Sequence, residues 1–237
     1  GDNSEPIQWG RGRYKQIPLY SIFNQLFGGN YPYAFPLEPL TLEKELFPHE
    51  VKRKEEGLGE ASYALLWGKF VEWLPTDTFG AFVESLIYLL KKYTWCIPSN
   101  TMDMANVSLF EHLKTTATFA DCLWLYKQEN PDDFSWDASR YRLELKLGVC
   151  PVLLIGGDIS GIQKFIYNIS SQKAAVSLKG RSFYLQLLID SIIQRIINRL
   201  EVTAGHVVYS SGGKFFMLLP NTEKVKGVLE ELGKEFE

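Results

Sequence analysis

The sequence predicts an α+β fold: a mostly helical region over residues 1–130, a linker over 131–150, and a β-α-β-β-α unit over 151–237. Three observations carry that prediction. Phe79, Phe82, Val83, Leu86, Ile87, Leu90 and Tyr93 recur at helical spacing and form one wide apolar stripe, a packing face. After Pro151 the run Val152-Leu153-Leu154-Ile155, bounded by Pro and Gly, reads as a buried strand. Gly212-Gly213, set between two apolar runs, marks a tight hairpin, because paired glycines supply the positive φ such a turn needs. A β-α-β-β-α order with a hairpin joining its middle strands is the ferredoxin-like, or palm, pattern without its last strand.

The elements follow in order. Gly1 to Gln16 is polar and is expected to be frayed or loosely docked. Ile17–Phe27, with Ile22, Phe23, Leu26 and Phe27, is expected as a helix stopped by Gly28-Gly29-Asn30. Pro36 and Pro39 keep the next stretch extended. Lys52-Arg53-Lys54-Glu55-Glu56 reads as a solvated charge run. A helix over Glu60–Leu74 stops before Pro75, and the striped helix ends near Trp95. Ser108 and Glu111 form a capping box that starts a helix to about Tyr126, with Leu109, Leu113, Ala117, Ala120 and Trp124 on its expected buried face. Asn130-Pro131 breaks it, and Tyr141, Leu143, Leu145 and Leu147 alternate as a half-buried strand or the end of the linker. A long helix over Ser182–Leu200 is expected to bury Phe183, Leu187, Leu188, Ile192, Ile196, Ile197 and Leu200. Strands His206–Tyr209 and Phe215–Leu219 flank the hairpin, and a helix over Thr222–Phe236 closes the unit.

Composition bounds the function. With 46% hydrophobic and 22% charged residues the chain has globular values. A net charge of -3 gives no global attraction to nucleic acid. No apolar run approaches the ~20 residues that span a bilayer, so no membrane partner is expected. The N-terminus is polar and acidic, unlike a secretory signal, and a leading Gly points to an excised internal segment. Cys96, Cys122 and Cys150 form no CxxC pair, which fits a reducing cytoplasm rather than a zinc site or disulfide frame.

Three loops of the second unit hold residues with chemical potential. In the first, Asp158, Ile159, Ser160, Gly161 and Gln163 follow a strand and open a helix, where backbone donors and the positive helix end converge on ligands. Ser160 and Gln163 fit a capping box, so Asp158 either faces a ligand or only helps cap the helix. In the second, Lys179, Gly180, Arg181 and Ser182 precede the expected long helix and suit an anion, although P-loop spacing is absent. In the third, Ser211, Gly212, Gly213 and Lys214 form the hairpin, where the turn alone explains both glycines. Palm enzymes clamp two divalent cations between carboxylates at the first strand end and the hairpin. Here Lys214 and Phe215 stand where those acids are needed, so this unit is expected to bind a nucleotide without transferring a phosphoryl group itself. His112, in the first turn of its helix, is a further candidate, set against the commoner reading of a hydrogen-bonded structural histidine.

These motifs, together with Pro98-Ser99-Asn100-Thr101 and Val107 to Ala117, resemble the large subunit of type III CRISPR effector complexes, nearest its Csm-type (III-A) branch. The stretch Gly157-Asp158-Ile159-Ser160-Gly161-Ile162-Gln163-Lys164-Phe165-Ile166 is similar to the start of its first palm domain. Ser177 to Phe183 and Ser210 to Phe215 are similar to its next two signatures, in order. The resemblance implies an antiviral-defence protein with an N-terminal HD nuclease that cuts single-stranded DNA, and two palms that make cyclic oligoadenylate from ATP with a divalent metal (Mg or Mn). It implies other effector subunits, guide RNA and target RNA as partners. By the same resemblance, residues 1–130 correspond to a helical linker and the C-terminal part of a permuted HD-like domain. His112 matches a metal-site histidine that needs an upstream His-Asp dyad. That dyad and the Gly-Gly-Asp-Asp hairpin of the second palm are not in this sequence, so no catalytic residue is assigned, no cofactor is certain for the chain alone, and it is expected to be inactive alone.

Two readings therefore stand. In one, the first palm is the non-catalytic half of a nucleotide site. In the other, the chain is chiefly an assembly surface, using exposed apolar residues of the hairpin or N-terminal segment to dock the subunit that holds the guide-RNA tag. A stand-alone GGDEF-like cyclase is the third alternative, and Lys214 argues against it.

Overall fold

This computed structural model describes residues 17–27, 33–51, 59–74, 79–102, 104–167 and 174–236, and among the described residues seven strands and six α-helices make up a mixed α+β chain. The segment 1–16, the glycines at 28 and 29 with Asn30, and the charge run 52–56 lie outside the described residues. The chain divides into two compact units, Gly1–Lys114 and Thr115–Glu237.

In the first unit, strands β1 (Tyr33–Ala34) and β2 (His49–Glu50) pair antiparallel, and helices α1 (Gly59–Glu72) and α2 (Phe79–Thr94) follow. Leu66, Tyr93 and Cys96 are the buried centre, with Phe35, Phe70 and Trp95 packed around them. The Trp95 indole N–H donates to the Glu38 carbonyl at 2.8 Å, which lets a polar ring edge sit inside this cluster. The expected helix over 17–27 forms only as a 3-10 turn, Ile22–Phe27. Its tighter three-residue period turns Ser21 and Asn24 inward, with the Asn24 amide donating to the Tyr33 carbonyl at 2.7 Å. Ile22, Phe23 and Leu26 are therefore exposed, not buried.

Helix α3 (Leu109–Glu129) runs three residues past its expected end, to the residue before Asn130-Pro131. Ser108 is its N-cap: its carbonyl accepts the His112 N–H at 3.0 Å. The Ser108 hydroxyl donates to Thr94 instead of closing the expected capping box, and Glu111 pairs with Lys114 at 2.9 Å. The buried face of α3 is also rotated from the expected one. Phe110, Thr118, Cys122 and Tyr126 are buried, whereas Leu113 and Trp124 are exposed. Both faces carry apolar residues, so spacing could not choose between them. Thr118 goes inside because its hydroxyl donates to the Gly205 carbonyl at 2.9 Å.

The segment expected as a linker holds a 3-10 turn, Pro131–Asp133, and an antiparallel hairpin of β3 (Phe134–Asp137) and β4 (Arg142–Leu145). The second unit then builds its sheet from β5 (Val152–Asp158), β6 (Val207–Ser211) and β7 (Lys214–Pro220) in the order β5-β7-β6, every neighbouring pair antiparallel. That is the ferredoxin-like order of the first three strands, as the motif pattern required. Helices α4 (Ile162–Tyr167), α5 (Ala174–Leu200) and α6 (Glu223–Phe236) complete the unit. Alternation on β7 sends Phe215, Met217 and Leu219 into a core with Ile189, Ile193, Ile196 and Ile197 of α5 and Val225 and Leu232 of α6. Arg195–Glu235 and Arg199–Glu231 link α5 to α6 on the exposed side.

Helix α5 begins eight residues earlier than the sequence indicated, at Ala174 instead of Ser182. Its early turns also leave Phe183, Leu187 and Leu188 exposed and bury Leu185 and Ile189. Only its last turns, from Ile192 to Leu200, follow the expected face.

Candidate functional site

Asp158 ends β5 directly opposite Lys214, the first residue of β7. The Lys214 ammonium lies 3.1 Å from an Asp158 carboxylate oxygen, and both side chains are 56% exposed. Such a solvated pair contributes only about 0–1 kcal/mol, so a competing phosphate can open it. It leaves no room for the two-carboxylate clamp of a metal-dependent palm, and a divalent cation does not fit beside an ammonium at this distance. Among the described residues no three His, Cys, Asp or Glu side chains converge as a metal site.

The hairpin itself is the two-residue turn read from the sequence. Gly212 and Gly213 have φ of 63° and 82°, and Ser211 faces Lys214 across the turn. A Cβ at Gly213 would fall 1.9 Å from Cδ1 of Ile162, the end of a flexible side chain that can turn away, so the positive φ is what calls for glycine here. The Gly213 carbonyl accepts the Ile159 N–H at 2.9 Å. The fold thus brings the first and third loops together: the hairpin tip rests against the start of α4.

Within the first loop the roles differ. Ile159 packs against the core, and Ser160, Gly161 and Gln163 are exposed. The capping box expected at Ser160 and Gln163 does not form in that register. Gly161 has φ of 76° and its carbonyl accepts the Phe165 N–H, so α4 starts one residue later, at Ile162.

The second motif is not a loop. Lys179, Gly180, Arg181 and Ser182 lie inside α5, so their backbone N–H groups are past the unpaired first turn, and only their side chains remain for an anion. Arg181 donates to the Phe165 carbonyl and lies over the Phe165 ring at 5.3 Å, which makes it an anchor between α5 and α4. Lys179 and Ser182 are exposed. His112 is exposed on the first turn of α3 in the other unit.

Sequence reasoning missed two features. The first is the pairing of Gly156 and Gly157 with Phe216 and Phe215, which depends on a strand register that sequence spacing does not carry. The second is His206, 1% exposed, in the 3-10 turn Ala204–His206 before β6. Its Nε2 is 3.3 Å from Asp121 of α3, off hydrogen-bonding angle, and its Nδ1 is 3.2 Å from the Thr203 carbonyl. Burial pushes the imidazole below the ordinary histidine value, and Asp121 and the Thr203 carbonyl only partly oppose that. The folded state then binds fewer protons than the unfolded chain. Stability from this site is present above about pH 6.5, the unfolded value, and is lost as pH falls below it. Urea midpoints between pH 7.5 and 5 should fall for the unsubstituted chain and flatten for His206→Gln. Parallel slopes for both would remove His206 as the cause.

The chain is similar to known proteins in three ways. Residues 151–237 match the family model described as Csm1 subunit domain B. The CRISPR system single-strand-specific deoxyribonuclease Cas10/Csm1 (subtype III-A) of Mycobacterium tuberculosis is 34% identical over 92% of this chain. Among solved structures, a Csm1–Csm4 cassette in complex with cA3 superposes with a TM-score of 0.69 at 30% identity over 92% of this chain, and one in complex with one ATP with a TM-score of 0.66 at 30% identity over 91%. The chain spans about 27% of the length of the M. tuberculosis relative and of each of these structures.

Proposed function

The chain belongs to the Cas10/Csm1 family of type III-A CRISPR systems, and on that premise we propose that its palm unit is the non-catalytic half of an ATP-binding site that serves cyclic oligoadenylate synthesis. The observation that carries this reading is the Asp158–Lys214 pair at the hairpin tip. An ammonium there can take a phosphate as a point charge, but it cannot join a metal clamp. The catalytic acids and the divalent metal then belong to a second palm, and the related cassette in complex with one ATP supports nucleotide as the ligand class. In this reading Asp158 to Gln163 and Ser211 to Lys214 form one wall, and Lys179 and Ser182 of α5 are further candidate phosphate contacts.

In this reading the whole protein works in antiviral defence in the cytoplasm, with guide and target RNA engaged through the complex. A neighbouring subunit docks on the palm, as the Csm1–Csm4 assemblies of relatives support. Residues 1–130 are the helical linker and the rear of a permuted HD-like nuclease domain, acting on single-stranded DNA. His112 is a metal ligand there only when an upstream His-Asp dyad is in place.

Isothermal titration of ATP into a protein carrying both palms tests the half-site. Lys214→Ala and Lys179→Ala should each weaken binding about ten- to a hundredfold, the size of one charge-assisted contact. Unchanged affinity in both variants sinks the half-site as drawn. Capture of the neighbouring subunit should survive both substitutions, which separates the nucleotide reading from a purely structural one.

A further inference from the structure

We propose that the open face of the palm sheet is a purine-stacking platform with Phe216 as the ring on which the base lies, an inference that rests on the nucleotide-binding reading above. Strand alternation places Leu154, Gly156 and Asp158 of β5 on the face away from the helices, opposite Leu218, Phe216 and Lys214 of β7. Exposure agrees: Leu154 is 61% and Phe216 42% exposed, while Phe215, Met217 and Leu219 between them are buried. β6 contributes Tyr209 beside Phe216 and Ser211 beside Lys214.

The face is therefore organised in rows. The hairpin row is Asp158, Lys214 and Ser211, and the row behind it is Gly156, Phe216 and Tyr209. Gly156 is what lays the Phe216 ring down. A Cβ at 156 would sit 2.8 Å from Cε1 of that ring, so the ring covers the bare backbone of β5 with one side and leaves the other open. Tyr209 flanks it, ring centroids 6.3 Å apart and planes at 43°. Rows two residues apart are separated by ~6.8 Å, about the reach from a stacked base to its phosphates. A flat aromatic floor one row from an ammonium matches a purine nucleoside phosphate: the ring takes the base, and Lys214 takes the anion.

The test titrates the full-length protein with ATP and, separately, with inorganic tripolyphosphate. Phe216→Leu should weaken ATP by roughly five- to a hundredfold and leave tripolyphosphate unchanged, as removal of a stacking ring does. Phe216→Trp should keep ATP affinity and gain an ATP-dependent quench of indole fluorescence over the unsubstituted protein. It also covers the case in which Phe216→Leu fails to fold. If the unsubstituted protein binds ATP and Phe216→Leu binds it equally well, the platform is overturned and the half-site stands. If the unsubstituted protein does not bind ATP, both are overturned. Equal loss of ATP and tripolyphosphate, or loss of partner-subunit capture with ATP affinity intact, also overturns the platform, the latter marking the face as a protein interface.

Discussion

A Gly157→Ala variant is expected to lose about 3 kcal/mol of stability, the upper end for forcing an extra carbon into a packed core. The new Cβ would stand 2.1 Å from Cε1 and 2.5 Å from Cζ of Phe215. Phe215 is 6% exposed and belongs to the core between sheet and helices, so its ring has nowhere to swing. Position 156 is the internal control. There the crowding ring is Phe216, 42% exposed, which can rotate into solvent. Gly156→Ala should therefore cost well under half as much. Urea denaturation of the two single variants measures the contrast. Gly157→Ala combined with Phe215→Leu should recover part of the loss, because the smaller side chain vacates the clash; strictly additive costs would refute the mechanism. The Gly-Gly that precedes Asp158 is thus explained by the aromatic pair on the neighbouring strand.

Met217→Ala is expected to cost about 3–4 kcal/mol, within the range for emptying a fully buried site. Met217 is 0% exposed at the middle of the central strand, opposite Ile155 of β5 and Val207 of β6. Truncation there removes contacts with both flanking strands and the helix layer at once. Met217→Leu keeps volume and should stay within about 1.5 kcal/mol. Because domain stability is only about 5–15 kcal/mol, the alanine variant should also weaken any ligand binding that depends on the hairpin. A loss below about 1 kcal/mol in Met217→Ala would mean the core collapses around the gap or that Met217 packs less centrally than its burial indicates.

Legibility differed from element to element. The hairpin was fully readable, since Gly-Gly between apolar runs marks a two-residue turn; β7 gained one residue at each end, while β6 lost His206 to a 3-10 turn and gained two residues at its end. Helix existence was readable for the long elements, because a 3.6-residue stripe persists whatever it packs against, but not over 17–27, where only a 3-10 turn forms. Helix faces were not. On α3 and the first half of α5 apolar residues occupy more than one face, and the choice fell to partners distant in sequence, such as the Gly205 carbonyl for Thr118. The start of α5 was misplaced because Lys179-Gly180-Arg181-Ser182 reads as a basic loop. In the structure Arg181 instead reaches Phe165 of α4, and Gly180 is carried inside a long helix.

The sequence by itself determined the element order of the palm unit, the hairpin, the absence of an acidic pair at its tip, and through its ordered motifs the family. Those features are local: turn chemistry, strand runs and residue identity do not depend on what lies across the sheet. Only the tertiary structure decided that Asp158 faces Lys214, that Phe215 goes in while Phe216 stays out over Gly156, and that His206 is buried beside Asp121. Each of these depends on the register between β5 and β7 or on the packing of α3, in which residues ~60–90 positions apart meet. A one-residue slip in that register would put every one of those strand side chains on the opposite face.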